Sequence, residues 1–275
     1  MGTALTGRRV AVVTGGTRGI GLGLARELLE RGHQVAICGR SAGSVDAGVQ
    51  QLRAGLDDPG RVLGVVTDVS DRDAVQALWQ QAVATFGRVD IWINNAGMSA
   101  PRGPLADQPS ELVDAVVQTN LVGAFNGSAI AQAGMATQAG GGWIWNMEGF
   151  GSRGEHQPGM ATYGASKRAV QYLTEALVRD TKGTPVKVGF LSPGIVATDL
   201  LIGDYADKPE EFEKVKKIFN ILGDRVETVT PWLVDQVLAA SKHGVRVAWL
   251  TKPKAMGRFM GAGFRKRDIF TPQEA

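Results

Sequence analysis

Short apolar runs alternating with helix-length segments constrain this chain more than any other feature. From Arg8 it reads RRVAVVT, ARELLERG, HQVAICG, a polar helix to about Leu56, RVLGVVT, AVQALWQQAVATF and RVDIWIN. Strands that are apolar at nearly every position have both faces buried, and helices placed between them make them run parallel. The pattern continues through a long helix ending near Met135, then GWIWNM, a helix starting near Met160, and VKVGFLS. VRVAWLT supplies a further strand. The expected fold is α/β, one doubly wound parallel sheet of about seven strands, in a single domain over residues 1–252. Residues 199–223 read as a lid containing the helical EEFEKVKKIFNIL, and residues 253–275 as a basic C-terminal extension.

Composition narrows the function classes. A hydrophobic share of 44% and a charged share of 21% allow a full core. A net charge of +3 is too small to argue for nucleic acid. Cys38 is alone, so no intramolecular disulfide can close, and no metal site is expected. The apolar run after Arg8 and Arg9 leads into a glycine motif and not a cleavage site, and no run reaches the length of a bilayer span. These readings predict a cytoplasmic protein.

TGGTRGIG at 14–21 follows the first strand and opens a helix, where a dinucleotide pyrophosphate meets free backbone amides and the positive helix end. Gly15, Thr17, Arg18, Gly19, Ile20 and Gly21 are therefore candidate cofactor contacts. The second strand ends in CGR; where NAD-binding sites place an acid for the ribose hydroxyl, this chain has Gly39 followed by Arg40. A guanidinium suits a 2′-phosphate, with Arg18 in reach of the same group, so NADP(H) is the expected cofactor. Tyr163 and Lys167, four apart in ATYGASKRAV, share one helix face. An ammonium one turn from a phenol favours the phenolate, which suits general acid–base work.

With these residues in place the chain resembles the classical short-chain dehydrogenase/reductase family, of Rossmann-type fold, over nearly its whole length. The resemblance rests on TGGTRGIG, Asp68 after the third strand, NNAG at 94–97, Asn120, YGASK at 163–167 and SPGIVATD at 192–199. It implies that Asp68 and Val69 hold the adenine end and that Asn95, Ala96 and Gly97 line the cofactor. Pro193, Gly194, Ile195 and Thr198 would touch the nicotinamide carboxamide. Tyr163 is the implied proton donor, Lys167 its electrostatic partner and a ribose ligand, and Asn120 the holder of a water linking Lys167 to solvent. Homo-oligomers, dimers or tetramers, are usual in the family, built on the long helices that carry Asn120 and Tyr163.

One departure stands out. The family's serine, about thirteen residues before the tyrosine, falls here on Phe150, or on Gly149 when counted from Asn146. Ser152 is the nearest hydroxyl to polarise a carbonyl, while His156 and Glu148 are candidate substrate contacts. The stretch NMEGFGS before Y-G-x-x-K, with SPGIVATDLL, KIFNIL, ETV and AWLTKPK, is similar to the chlorophyll b reductases, which reduce a 7-formyl group to hydroxymethyl with NADPH. That implies reduction of an aldehyde or ketone on a bulky hydrophobic substrate. The alternatives are a general keto reductase acting on 3-oxoacyl or steroid-like substrates, and a non-catalytic NADP(H)-binding sensor or scaffold.

From Lys242 to Arg267 there are eight basic residues and no acid, with Met256, Phe259, Met260 and Phe264 at helical spacing. The expectation is that this apolar face packs on the domain or a neighbouring subunit. Peripheral contact with an anionic membrane is the less favoured reading.

Overall fold

In the computed structural model, which describes residues 7–205, 208–263 and 267–271, the first two-thirds of the chain alternates strand and helix. The elements are β1 (Val10–Val13), α1 (Gly19–Glu30), β2 (Gln34–Gly39), α2 (Ala42–Arg53), β3 (Val62–Val66), α3 (Arg72–Phe86) and β4 (Ile91–Asn94). There follow α4 (Ser110–Val117), α5 (Gly123–Thr137), β5 (Gly142–Met147), α6 (Ala161–Asp180) and β6 (Val186–Ser192). A π-helical turn, Gln118–Val122, joins α4 to α5, so the single long helix of the sequence reading is interrupted at Asn120. Beyond β6 come β7 (Val196–Ala197), α7 (Asp199–Gly203), α8 (Pro209–Leu222), β8 (Asp224–Arg225), α9 (Val226–Ala239), β9 (Arg246–Ala248) and α10 (Lys252–Gly261).

Seven strands pair in the order β3-β2-β1-β4-β5-β6-β9, all parallel. The doubly wound sheet of seven strands is thus present. The short parallel pair β7–β8 was not foreseen; it clips the start of the lid to its end. Alternate residues of each strand feed two cores. Val10, Val12 and Trp92 face α3, α5 and α6, whereas Ala11, Val13 and Ile93 face α1, α2 and α9. Trp92 and Trp145, both fully buried, occupy opposite sides of the sheet.

Local signals fix the helix ends. The Asp71 carboxylate caps α3 by accepting from the backbone N–H of Asp73 and Ala74, and Gly87 closes the same helix at φ 87°. The strand order reverses between β1 and β4, and in open parallel sheets ligands bind at the carboxyl ends of the strands flanking that point.

Candidate active site

At that edge the turn between β1 and α1 carries two glycines at positive φ, Gly15 at 61° and Gly19 at 54°. Side-chain-bearing residues rarely adopt these angles. The backbone of Arg18 occupies the N-cap of α1 without a side-chain cap, so the first amides of the helix remain available to an anion. The loop is held from β4: Asn95 Nδ2 donates to the carbonyls of Thr14 (2.9 Å) and Gly15 (3.2 Å). The amides of Asn95 and Ala96 both donate to Thr14 Oγ1 at 3.0 Å. Ile20 packs into the core beneath, and Thr17 lies against Gly39 at the end of β2. An uncapped helix start and a glycine cradle fit the pyrophosphate of a dinucleotide; Arg40 beside it is exposed, and Arg18 stands 3.8 Å from Asp199.

Asp68 accepts hydrogen bonds from the hydroxyl (2.7 Å) and amide (2.9 Å) of Ser70. The Ser70 hydroxyl above all holds its carboxyl below the usual range, aided by Arg40 nearby. Val69 is buried, and its carbonyl accepts from Asn126 Nδ2 on α5 at 3.0 Å. Asn126 thus secures the loop after β3; its only sequence signal is a polar residue among the small residues of an apolar helix. On the other flank, Gly194 takes φ 73° and Thr198 stands at the N-cap of α7, bringing the segment Pro193–Thr198 to the same strand edge.

Tyr163 and Lys167 lie in the first two turns of α6. Lys167 is buried, its Nζ 5.8 Å from the centre of the Tyr163 ring and donating to the Met147 carbonyl at 3.3 Å. Burial lowers the ammonium pKa to about 8, although Glu148 opposes this. The phenol differs from expectation: burial, and secondarily the Asp204 carboxylate, push its pKa upward. Desolvation outweighs the ammonium in this state, so the phenol holds its proton. Asn120 is buried too; its Oδ1 accepts from the Met98 amide at 2.8 Å and its Nδ2 donates to the Met98 carbonyl and to Ser166 Oγ, both at 2.9 Å. It ties the loop after Gly97 to α6 beside Lys167.

Beneath these groups lies a buried polar network. Asn94 donates to Asn146 (2.7 Å) and Ser128 (3.0 Å), and Asn146 donates to Thr174 on α6 (3.0 Å). It fixes the ends of β4 and β5 relative to the helix that carries the tyrosine.

The 149–152 turn explains the departure from the family's serine. A β-carbon at Gly149 would fall 2.3 Å from Tyr163 Oη and 3.2 Å from Lys167 Cγ, so the phenol occupies the space a side chain would need. The Ser152 hydroxyl is engaged elsewhere: it accepts from the Gly149 amide at 3.0 Å and donates to the Lys167 carbonyl at 3.3 Å, fully buried. In this arrangement Ser152 braces the turn against α6 and is not free to polarise a carbonyl. Glu148 is buried in an ion pair with Arg246 of β9 (3.0 Å), the Arg246 guanidinium resting on the Phe190 ring at 4.6 Å. His156 is exposed in the following loop.

The lid closes over this edge. Asp204, nearly buried, brings a carboxyl into electrostatic reach of Tyr163; burial raises its pKa to about 6 against Ser99 and Arg102. Tyr205, Phe219 and Ile269 form a third small core with Phe212 and Phe270, joining the lid to the C-terminal segment.

The apolar face of the extension does not pack on its own domain. Met256, Phe259 and Met260 are 63%, 49% and 72% exposed, while the basic side of α10 faces the protein. Arg258 pairs with the buried Asp224 at 2.7 Å, Arg267 binds the other carboxylate oxygen, and Lys254 sits over the Trp249 ring. A buried carboxylate recruits cations more strongly than a shallow surface recruits methionines. Phe264, counted with the apolar face, lies outside the described residues.

A strand-order reversal, an uncapped glycine turn and a tyrosine–lysine pair at one sheet edge define a nicotinamide-dinucleotide oxidoreductase. The chain belongs to the short-chain dehydrogenase family, whose pattern (short chain dehydrogenase) matches residues 9–209. It is 38% identical, over 95% of its length and 76% of the relative's, to the chlorophyll(ide) b reductase NOL, chloroplastic, of Arabidopsis thaliana. It is 33% identical to the probable chlorophyll(ide) b reductase NYC1 of the same plant, covering 97% of this chain and 55%, about half, of that one. Levodione reductase superposes with a TM-score of 0.80 at 25% identity, over 90% of this chain and 98% of the other. The enzyme is therefore a short-chain oxidoreductase with a nicotinamide cofactor and a small-molecule substrate.

Proposed function

We propose that the protein reduces a carbonyl on a bulky hydrophobic substrate with NADPH, the 7-formyl group of a chlorophyll b-like tetrapyrrole being the best-supported target. The observation that carries the reading is the Gly149–Tyr163 packing. The NMEGFGS turn, on which the resemblance to the chlorophyll b reductases rests, supplies the space the phenol occupies. Similarity to the Arabidopsis reductases along nearly the whole chain supports the same substrate class.

Arg40 and Arg18 beside the glycine turn would hold the 2′-phosphate of NADPH, which would supply the hydride. Tyr163, protonated at neutral pH because burial raises its pKa, delivers a proton from Oη to the carbonyl oxygen. Lys167, an ammonium below pH of about 8, favours the tyrosinate left behind. Asn120 holds the Gly97–Met98 loop to α6 and so fixes both partners. Ser152 is a positioning residue, bracing the turn on which the phenol rests.

Product analysis after incubation with NADPH and detergent-solubilised chlorophyll b tests this, beside Tyr163→Phe. A 7-hydroxymethyl product absent in the variant, whose NADPH binding is intact, is expected; equal turnover by both proteins would overturn the role of Tyr163. No product with wild type would overturn the substrate. The outer faces of α5 and α6, with Phe125 49% and Tyr172 73% exposed, are proposed as the face of a homo-oligomer. Tyr172→Arg should lower the mass found by sedimentation.

A further inference from the structure

A groove of about 530 Å³ opens beside the catalytic edge, between the loop at Arg102, the loop at Pro158 and lid helix α8. Near Gly103, Pro158 and Gly159 its wall carries no long side chains, making a slot whose lining is mostly apolar and open to solvent. The loops forming it are tied together, Gly103 N–H donating to the Gly159 carbonyl at 3.3 Å. Gly159 lies four residues before Tyr163, so one wall of the groove is the segment that leads into α6.

Among the described residues its rim is cationic, with Arg102, Lys208 and Lys214 against one acid, Glu211. Lys208 is occupied: it donates to the Arg102 carbonyl at 2.8 Å and stands 3.8 Å from Glu211. Among the described residues neither Arg102 nor Lys214 has a carboxylate within salt-bridge distance. Arg102 Nε is buried without a hydrogen-bond partner, and the guanidinium is pinned over the Tyr205 ring, 4.6 Å from its centre. Half-buried guanidinium groups are normally hydrogen-bonded, and a stacked, oriented one is prepared for the two oxygens of a carboxylate. Asp204 offsets part of this charge from below and leaves the rim to Arg102 and Lys214.

We propose that this slot binds a carboxylate carried by the flat apolar substrate, with Arg102 and Lys214 as its ligands, so that the free acid is preferred over its ester. The proposal rests on the reductase reading for the kind of substrate, and its test is separable from that reading. Chlorophyllide b and its methyl ester, in the same detergent, are titrated into NADP-saturated protein and their dissociation constants read from fluorescence. The acid should bind at least tenfold more tightly, the preference shrinking with added salt. Lys214→Gln should reduce it severalfold, and Arg102→Gln with Lys214→Gln should bring acid and ester within twofold. Lys214 is exposed on α8, so its variant tests the slot without touching the Tyr205 stack.

Equal binding of acid and ester by the wild type, a preference that survives both substitutions, or no binding of either compound overturns the proposal. Binding of the acid through these residues without any 7-hydroxymethyl product keeps the slot and overturns the reductase reading. Equal binding with turnover of both compounds does the reverse.

Discussion

Installing the family's serine at Gly149 should slow this enzyme. A β-carbon there would lie 2.3 Å from Tyr163 Oη, and ordinary contact begins near 3.4 Å, so the phenol must retreat by roughly 1 Å. Lys167 Cγ at 3.2 Å closes the route toward the lysine, and the turn cannot yield, because Ser152 pins the Gly149 amide and the Lys167 carbonyl together. A misplacement of about 1 Å in a reacting group can cost on the order of 10²-fold in rate, so Gly149→Ser is expected to lose about that factor in kcat. A gained hydroxyl, acting as a second donor to the carbonyl, would instead be worth roughly 10²-fold in the opposite direction. The two accounts therefore differ in sign. Single-turnover oxidation of NADPH with a carbonyl substrate, at NADPH concentrations that saturate each protein, measures it. A variant as fast as wild type, or faster, refutes the packing argument.

Other expectations follow from charge. Arg40→Ala should raise KM for NADPH at least tenfold while leaving NADH unaffected, the loss of a charge-assisted contact being about 1.5–3 kcal/mol; steady-state kinetics with both cofactors decides it. Reductase kcat should fall as pH rises through about 8, where Lys167 becomes a neutral amine and no longer favours the tyrosinate; a flat profile to pH of about 9.5 would contradict the assignment. Asp224→Asn should destabilise the fold by about 3 kcal/mol at neutral pH, since it strands Arg258 and Arg267. Burial alone would raise the Asp224 pKa, but Arg258, Trp249 and Arg267 bring it below the ordinary value. That stability is therefore present above the ordinary carboxylate pKa and lost as pH falls through the folded one. The gap in Tm between variant and wild type should close in acid.

The sheet was readable in the sequence because both of its faces are buried: VAVV, QVAICG and GWIWNM admit few other readings. Motif spacing likewise located the glycine turn, Tyr163 and Lys167, since each depends on residues close together in the chain. What escaped depends on distant partners. Periodicity showed that α10 is two-sided but not which side faces inward; that was decided by Asp224, a residue nearly thirty positions upstream of its first helical residue. The aromatic cluster of Tyr205, Phe212, Phe219 and Phe270 unites lid and C-terminal segment across a long stretch of chain, with no local signature. The role of Gly149 was hidden for a different reason, because an absent side chain shows its purpose only once the phenol above it is in place.

Asp224 belongs to β8, whose only strand partner among the described residues is β7, and β7 leads directly into Thr198 at the N-cap of α7. The carboxylate that gathers Arg258, Arg267 and Trp249 therefore joins the C-terminal helix to the strand pair that leads into Thr198. A partner seated on the exposed methionines and Phe259 of α10 would therefore rest on an element tied, through Asp224, to the β7–β8 pair.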